Sequence, residues 1–297
     1  MNARRDLIVV GSSCASSLQT CDTAECNCAL RNGGFTLIEL LVMLALVGLW
    51  ALMLVPGLAR TQPDVRAVQC LSNKQQLAAA CAMYTHDWSD YLVPNSPGSG
   101  FGGWCSGQEN WGSSQANTIQ DYYKTNCLGP YVVNQFKLYK CPCDTVPSDN
   151  GQRIRSISMN GMMLGAITPP GAGGDAYNRG WRTYKKVIDL TAPSPAMAWI
   201  FADENMYSLN DGYLQMGLNT HDYPDVPAAY HGGVGNAFTF ADGHAESHKW
   251  VWIGNAFAGL RNCPYAKGVT GTHWQSSGQD TDWYWPVSYT HLTLPTN

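Results

Sequence analysis

Hydrophobic and polar positions sort the chain into three regimes. From Phe35 to Val55 the sequence FTLIELLVMLALVGLWALMLV is apolar all round and carries one charge, Glu39. At about 1.5 Å of rise per residue such a helix covers about 31 Å, the thickness of a bilayer core, so the pattern predicts a transmembrane helix over 35–55. An acidic side chain inside such a helix costs a few kcal/mol and generally marks function. From Arg66 to Trp88 the pattern becomes amphipathic. Cys70, Leu77, Cys81, Tyr84 and Trp88 fall on one stripe of a 3.6-residue helix, with Lys74, Gln75 and Gln76 between them. Together the two stretches predict a spine helix over 35–88. A break at Pro56 into two helices is the alternative.

Beyond the helix, residues 89–286 are long enough for a globular head with its own core. Asn95–Gln115 is a polar Gly/Ser loop. Phe136–Cys141, Ala196–Phe201, Ala237–Ala241 and His244–Trp252 are strand candidates. Asp242-Gly243 between alternating runs predicts a two-residue hairpin turn. That register places Phe238, Phe240, Ala245 and Ser247 on a core face, and Thr239, His244, Glu246 and His248 on a polar one. The expected fold class is α+β, with a long N-terminal spine helix (a membrane half and an amphipathic half) packed on a head built around an antiparallel β-sheet.

Composition narrows the function. Charged residues make up 13% of the 297 positions and the formal net charge is −4. No basic footprint for nucleic acid exists, so that partner is excluded. Eleven cysteines are many for a reduced compartment and lean towards export. Residues 1–34 look unlike a globular segment and read as a leader. Their cysteines, Cys14, Cys21, Cys26 and Cys28, lack zinc-site spacing. Residues 287–297 resemble a translated frame of a sequencing adapter and are set aside, with His291 among them.

Gly33-Gly34-Phe35-Thr36-Leu37-Ile38-Glu39-Leu40 resembles the class III signal of type IV pilins and type II secretion pseudopilins. The resemblance implies that a prepilin peptidase cuts after Gly34 and methylates the new amino group of Phe35. It also implies that Glu39 pairs with the N-terminal amine of a neighbouring subunit during assembly, and that Pro56 is the proline that kinks or locally melts the helix. Later segments are similar to pilin-like proteins of planctomycete- and verrucomicrobia-type bacteria. These are Val68–Asn73, Leu138–Asp144, Ser158–Gly161, Asp203-Glu204, and Tyr230-His231 leading into Ala241–His244. Cys143 departs from the small residue usual there, and ten residues rather than nine separate His231 from Asp242-Gly243. The last pair resembles a processing-associated motif.

The head's Asp203, His231, Asp242 and His244 are candidate metal ligands. Calcium would draw on Asp203, Asp211 and Asp242, whereas zinc would prefer His231, His244 and an acid. Against this, Asp242 serves as a turn residue and His244, Glu246 and His248 as a polar strand face. A disulfide from Cys70 to Cys141 is expected because both stand in the patterns that carry the resemblance. Cys105 lacks the local context of a catalytic thiol, and the tryptophans are read as core rather than as a glycan surface.

The expected function is a structural pilin-like or pseudopilin subunit, not an enzyme, assembled into a secretion pseudopilus or a type IV pilus-like filament. No cofactor is expected beyond a structural calcium. The expected partners are a prepilin peptidase, other pilin or pseudopilin subunits, an inner-membrane assembly platform and membrane lipid. The expected location is the inner membrane, single pass, with the head in the periplasm. The rivals are a signal-anchored periplasmic metal-dependent hydrolase and an anchored glycan-binding surface protein.

Overall fold

The computed structural model describes residues 35–95, 103–133, 135–166, 180–206, 208–251, 274–275 and 281–289, with backbone alone for 51–64, 274–275 and 281. Gly34 and the rest of the expected leader lie outside the described residues, as do Cys263, the side chain of Pro56 and residues 290–297. The chain forms two compact units, Met1–Met53 and Leu54–Asn297. Helix α1, Leu37–Asp87, contributes residues to both.

In the first unit α1 starts with a capping box. Thr36 is the N-cap and Glu39 the third helical residue: the Glu39 N–H donates to Thr36 Oγ1 at 3.3 Å, and the Thr36 N–H donates back to Glu39 Oε2 at 2.9 Å. The described side chains from Phe35 to Trp50 are all exposed. Among the described residues no helix is long and apolar enough to cross a membrane. The expected transmembrane half and the single-pass inner-membrane location are therefore corrected.

In the second unit the remainder of α1 buries Cys70, Lys74, Leu77, Cys81 and Tyr84. The steps between them are four and three residues, so they form one continuous stripe. The stripe thus includes Lys74, which the apolar pattern leaves out, while Trp88 is exposed. After α1 come two single-turn helices, α2 (Asp121–Lys124) and α3 (Gly129–Val132), and the strands β1 (Ile157–Asn160), β2 (Trp199–Asp203), β3 (Tyr213–Leu214), β4 (Asp222–Tyr223), β5 (Gly235–Phe240), β6 (Ala245–Lys249) and β7 (Trp274–Gln275). Helix α4, Thr281–Ser288, follows.

Five strands form one sheet in the order β3-β1-β2-β5-β6, and β4 pairs with β7. β3 runs parallel to β1 while the other neighbours are antiparallel, so the expected antiparallel sheet is in fact mixed. The architecture is α+β with a mixed sheet, and the expected single spine of membrane and amphipathic halves is corrected with it.

Local chemistry explains where the strand expectations held and failed. β2 and β5 are buried at every position, so Thr239, expected on a polar face, lies in the interior as well. β1 was hidden because its Ser158 and Asn160 look like loop residues. Both are buried and satisfied: Ser158 Oγ donates to Glu204 Oε2, and Asn160 Nδ2 donates to Trp199 O at 3.0 Å. Phe136–Tyr139 is a 3₁₀ turn rather than a strand, with Leu138 and Tyr139 both buried.

The β5–β6 hairpin shows a one-residue correction with large consequences. Its loop has three residues, Ala241, Asp242 and Gly243, closed by Gly243 N–H to Phe240 O (3.0 Å) and Phe240 N–H to His244 O (2.9 Å). Gly243, at φ +94°, takes the left-handed position that follows the turn in such loops. The pairs are therefore Thr239 with Ala245, Phe238 with Glu246 and Asn236 with His248. Shifting a register by one exchanges the faces of a strand. His244, Glu246 and His248 consequently share a face with Phe238 and Phe240, not the opposite one. The His244 ring stacks on Phe240 at 4.3 Å, and His248 stacks on Trp285 of α4 at 3.9 Å.

Candidate functional site

Four ligand-type side chains converge where α1 meets the end of β2. Cys70 comes from the buried stripe of α1 and Cys141 from the turn after Phe136–Tyr139. Asp203 is the last residue of β2, and His231 sits in the turn that leads into β5. Their ligand atoms lie within 4.8 Å of one another. Cys70, Cys141 and Asp203 are buried, and His231 is half-buried.

The contacts within the cluster are specific. Lys74 Nζ donates to Asp203 Oδ1 at 2.8 Å, and the Cys70 thiol faces Asp203 Oδ2 at 3.4 Å. Cys141 Sγ and His231 Nε2 stand 3.4 Å apart. Ser156 binds two members: its Oγ accepts from the Cys141 N–H at 2.7 Å and donates to Asp203 Oδ1 at 3.4 Å. Asn236 locks the β2 end, accepting from the Asp203 N–H at 3.0 Å and donating to the Asp203 carbonyl at 2.7 Å. Each polar group thus has a reason to hold its place.

Electrostatics divides the two thiols. The hydrogen bond with Cys141, burial and the nearby Asp203 carboxylate all hold the Cys70 thiol well above its ordinary range. Burial opposes ionisation of Cys141 as well. Hydrogen bonds with Cys143, Cys70 and His231 outweigh it and draw Cys141 well below that range. Burial would lower His231, yet the Cys141 contact and the Asp203 charge raise it. Cys141 and His231 thus favour each other's charged forms beside the Lys74–Asp203 ion pair.

Several expected site residues lie elsewhere. Asp242 and His244 are exposed at the hairpin tip and bond each other, His244 Nδ1 to Asp242 Oδ1 at 2.6 Å. They are not part of the cluster, so the expected four-residue metal set is split into two pairs. Cys70 and Cys141 are neighbours and both are free thiols. Cys105 is buried, which pushes it up to about 12 and leaves it a poor nucleophile. Trp104 and Trp283 are buried in the core. Glu39 has the local capping partner described above, and Phe35 is exposed. Lys74 is the residue that sequence reasoning missed, although its place four after Cys70 and three before Leu77 was a usable signal.

Two sulfurs, one nitrogen and one carboxylate give the donor number of a four-coordinate site. It lacks the oxygen count that calcium requires. Comparison with known proteins finds no matching family model, no matching curated protein and no matching solved structure.

Proposed function

We propose that the chain is a structural subunit that assembles with copies of itself or related subunits through its apolar N-terminal helix. The observation that carries this reading is the unbroken exposure of that segment, with Phe35 79%, Leu37 78% and Trp50 76% accessible. Full burial of one such side chain stabilises an assembly by about 1.5–3 kcal/mol, so packing of neighbouring helices supplies a strong drive. Glu39 is the one charge among these residues. Within a packed helix bundle a carboxylate needs a cationic partner, and the amino group of a chain beginning at Phe35 would provide one. The Gly34-Phe35 junction supports processing by a prepilin-type peptidase, and the head would form the exposed body of each subunit.

The test is expression of the full chain with a prepilin peptidase, followed by mass measurement and sedimentation. The expected product starts at Phe35, carries a methylated amine and sediments as filaments. Leu44→Glu, in the middle of the apolar surface, should prevent sedimentation without altering cleavage. A chain that keeps residues 1–34, or filaments that tolerate Leu44→Glu, would overturn the reading.

A further inference from the structure

We infer that Cys70, Cys141, His231 and Asp203 form a structural site for one zinc ion, which ties α1 to the sheet. The distances support it. In a tetrahedron with zinc–sulfur bonds of about 2.3 Å and zinc–nitrogen or –oxygen bonds of about 2.0 Å, ligand atoms stand about 3.3–3.8 Å apart. The Cys70–Asp203 and Cys141–His231 edges are both 3.4 Å. All four atoms fall within 4.8 Å of one another, so modest side-chain rotation closes the remaining edges.

Charge supports it too. Two thiolates and a carboxylate carry three negative charges, and zinc supplies two positive ones. The Lys74 ammonium, 2.8 Å from Asp203 Oδ1, supplies the third. A buried site is then neutral with a neutral His231, which relieves the desolvation cost of its ions. Lys74 takes one oxygen of Asp203 and leaves Oδ2, on the Cys70 side, as the ligand atom. Binding forms two zinc–sulfur bonds, one zinc–nitrogen bond and one zinc–oxygen bond. The protons still held by Cys70, Cys141 and His231 leave to solvent.

The surroundings have the form of an outer shell. Ser156 accepts from the Cys141 N–H and donates to Asp203, and Asn236 clamps the Asp203 backbone. The donor set selects the metal: thiolate and imidazole suit zinc and its spectroscopic substitute cobalt, whereas calcium and magnesium want oxygen. Cys143 is the nearest rival thiol. It is half-buried, and the cluster is complete without it.

The experiment uses the full chain, reduced, freed of metal by chelator and titrated with Co²⁺. The expected result is one equivalent bound, with thiolate-to-cobalt charge-transfer absorption and the intense visible bands of a tetrahedral site, displaced by one equivalent of Zn²⁺. Cys70→Ser and Cys141→Ser should each weaken binding by roughly tenfold or more, and Cys143→Ser should weaken it less than either. His231→Ala, at the half-buried edge, gives a second readout: loss of affinity with the far-ultraviolet spectrum retained. Weak octahedral bands, a signal that follows Cys143 instead of Cys70, or a reduced chain that binds no equivalent of either metal would overturn the assignment. So would recovery of the native protein with Cys70 and Cys141 joined as a disulfide.

Discussion

Lys74 Nζ lies 2.8 Å from Asp203 Oδ1, and both side chains are buried, at 1% and 0% exposure. The two residues are 129 positions apart, so one contact fastens the helix to the end of the central strand. Burial pushes Asp203 up to about 6, with Lys74 opposing it, which leaves the carboxylate ionised at neutral pH. Replacing one partner strands the other charge in the core. Lys74→Met should destabilise the head by about 3–5 kcal/mol in urea unfolding. Adding Asp203→Asn to that variant should restore part of the loss. Losses that simply add would show that the pair is not coupled.

The start of α1 separates two roles of Glu39. Its carboxylate caps the helix through Thr36 and is also the charge assigned to assembly. Glutamine can serve in a capping box but carries no charge. Glu39→Gln should therefore preserve the start of the helix and still abolish sedimentable filaments. Glu39→Ala should lose both, with about 1 kcal/mol of local helix stability. Filaments of ordinary yield from the glutamine variant would remove the charge from the assembly account.

The hairpin loop depends on Gly243 through its backbone alone. A Cβ added there meets nothing within 4 Å, so the cost of a substitution comes from φ +94°. Gly243→Val should destabilise the head by about 1–2 kcal/mol, because a β-branched residue resists the left-handed region. Asparagine, which tolerates that region better, should cost less. Equal melting temperatures for the valine and asparagine variants would contradict this.

Glu109 predicts a pH dependence. Burial pushes its carboxyl up to about 6 from 4.5, although Arg155 lies 3.8 Å away and Tyr123 Oη donates to it at 3.0 Å. The folded state thus holds the proton over a range where the unfolded chain has released it. The contribution to stability is present below about 4.5 and declines as pH rises towards 6, by roughly 2 kcal/mol. Glu109→Gln should flatten that decline. Unfolding midpoints that change in parallel for the two chains between those pH values would refute the assignment.

Local pattern was enough for the elements whose environment is uniform. Apolar side chains on every face marked 37–50 as helix, and the stripe through Cys70, Leu77, Cys81 and Tyr84 oriented the second half of α1. β2 was legible because a strand buried on both faces reads as an apolar run, and β5 through its alternating Phe238 and Phe240. Thr36 and Glu39 even carried their capping box in plain spacing. The tertiary structure decided the rest. An Asp-Gly pair serves two- and three-residue hairpin loops alike, so only the closed ladder placed His244 and His248 on the Phe240 face. A lysine between apolar residues reads as solvent-facing until a carboxylate 129 positions away meets it. Cys70, Cys141, Asp203 and His231 fall in four separate segments of the chain. They become a site only because α1, the turn after Tyr139, the end of β2 and the turn before β5 meet at one buried point, which chain folding sets and spacing does not.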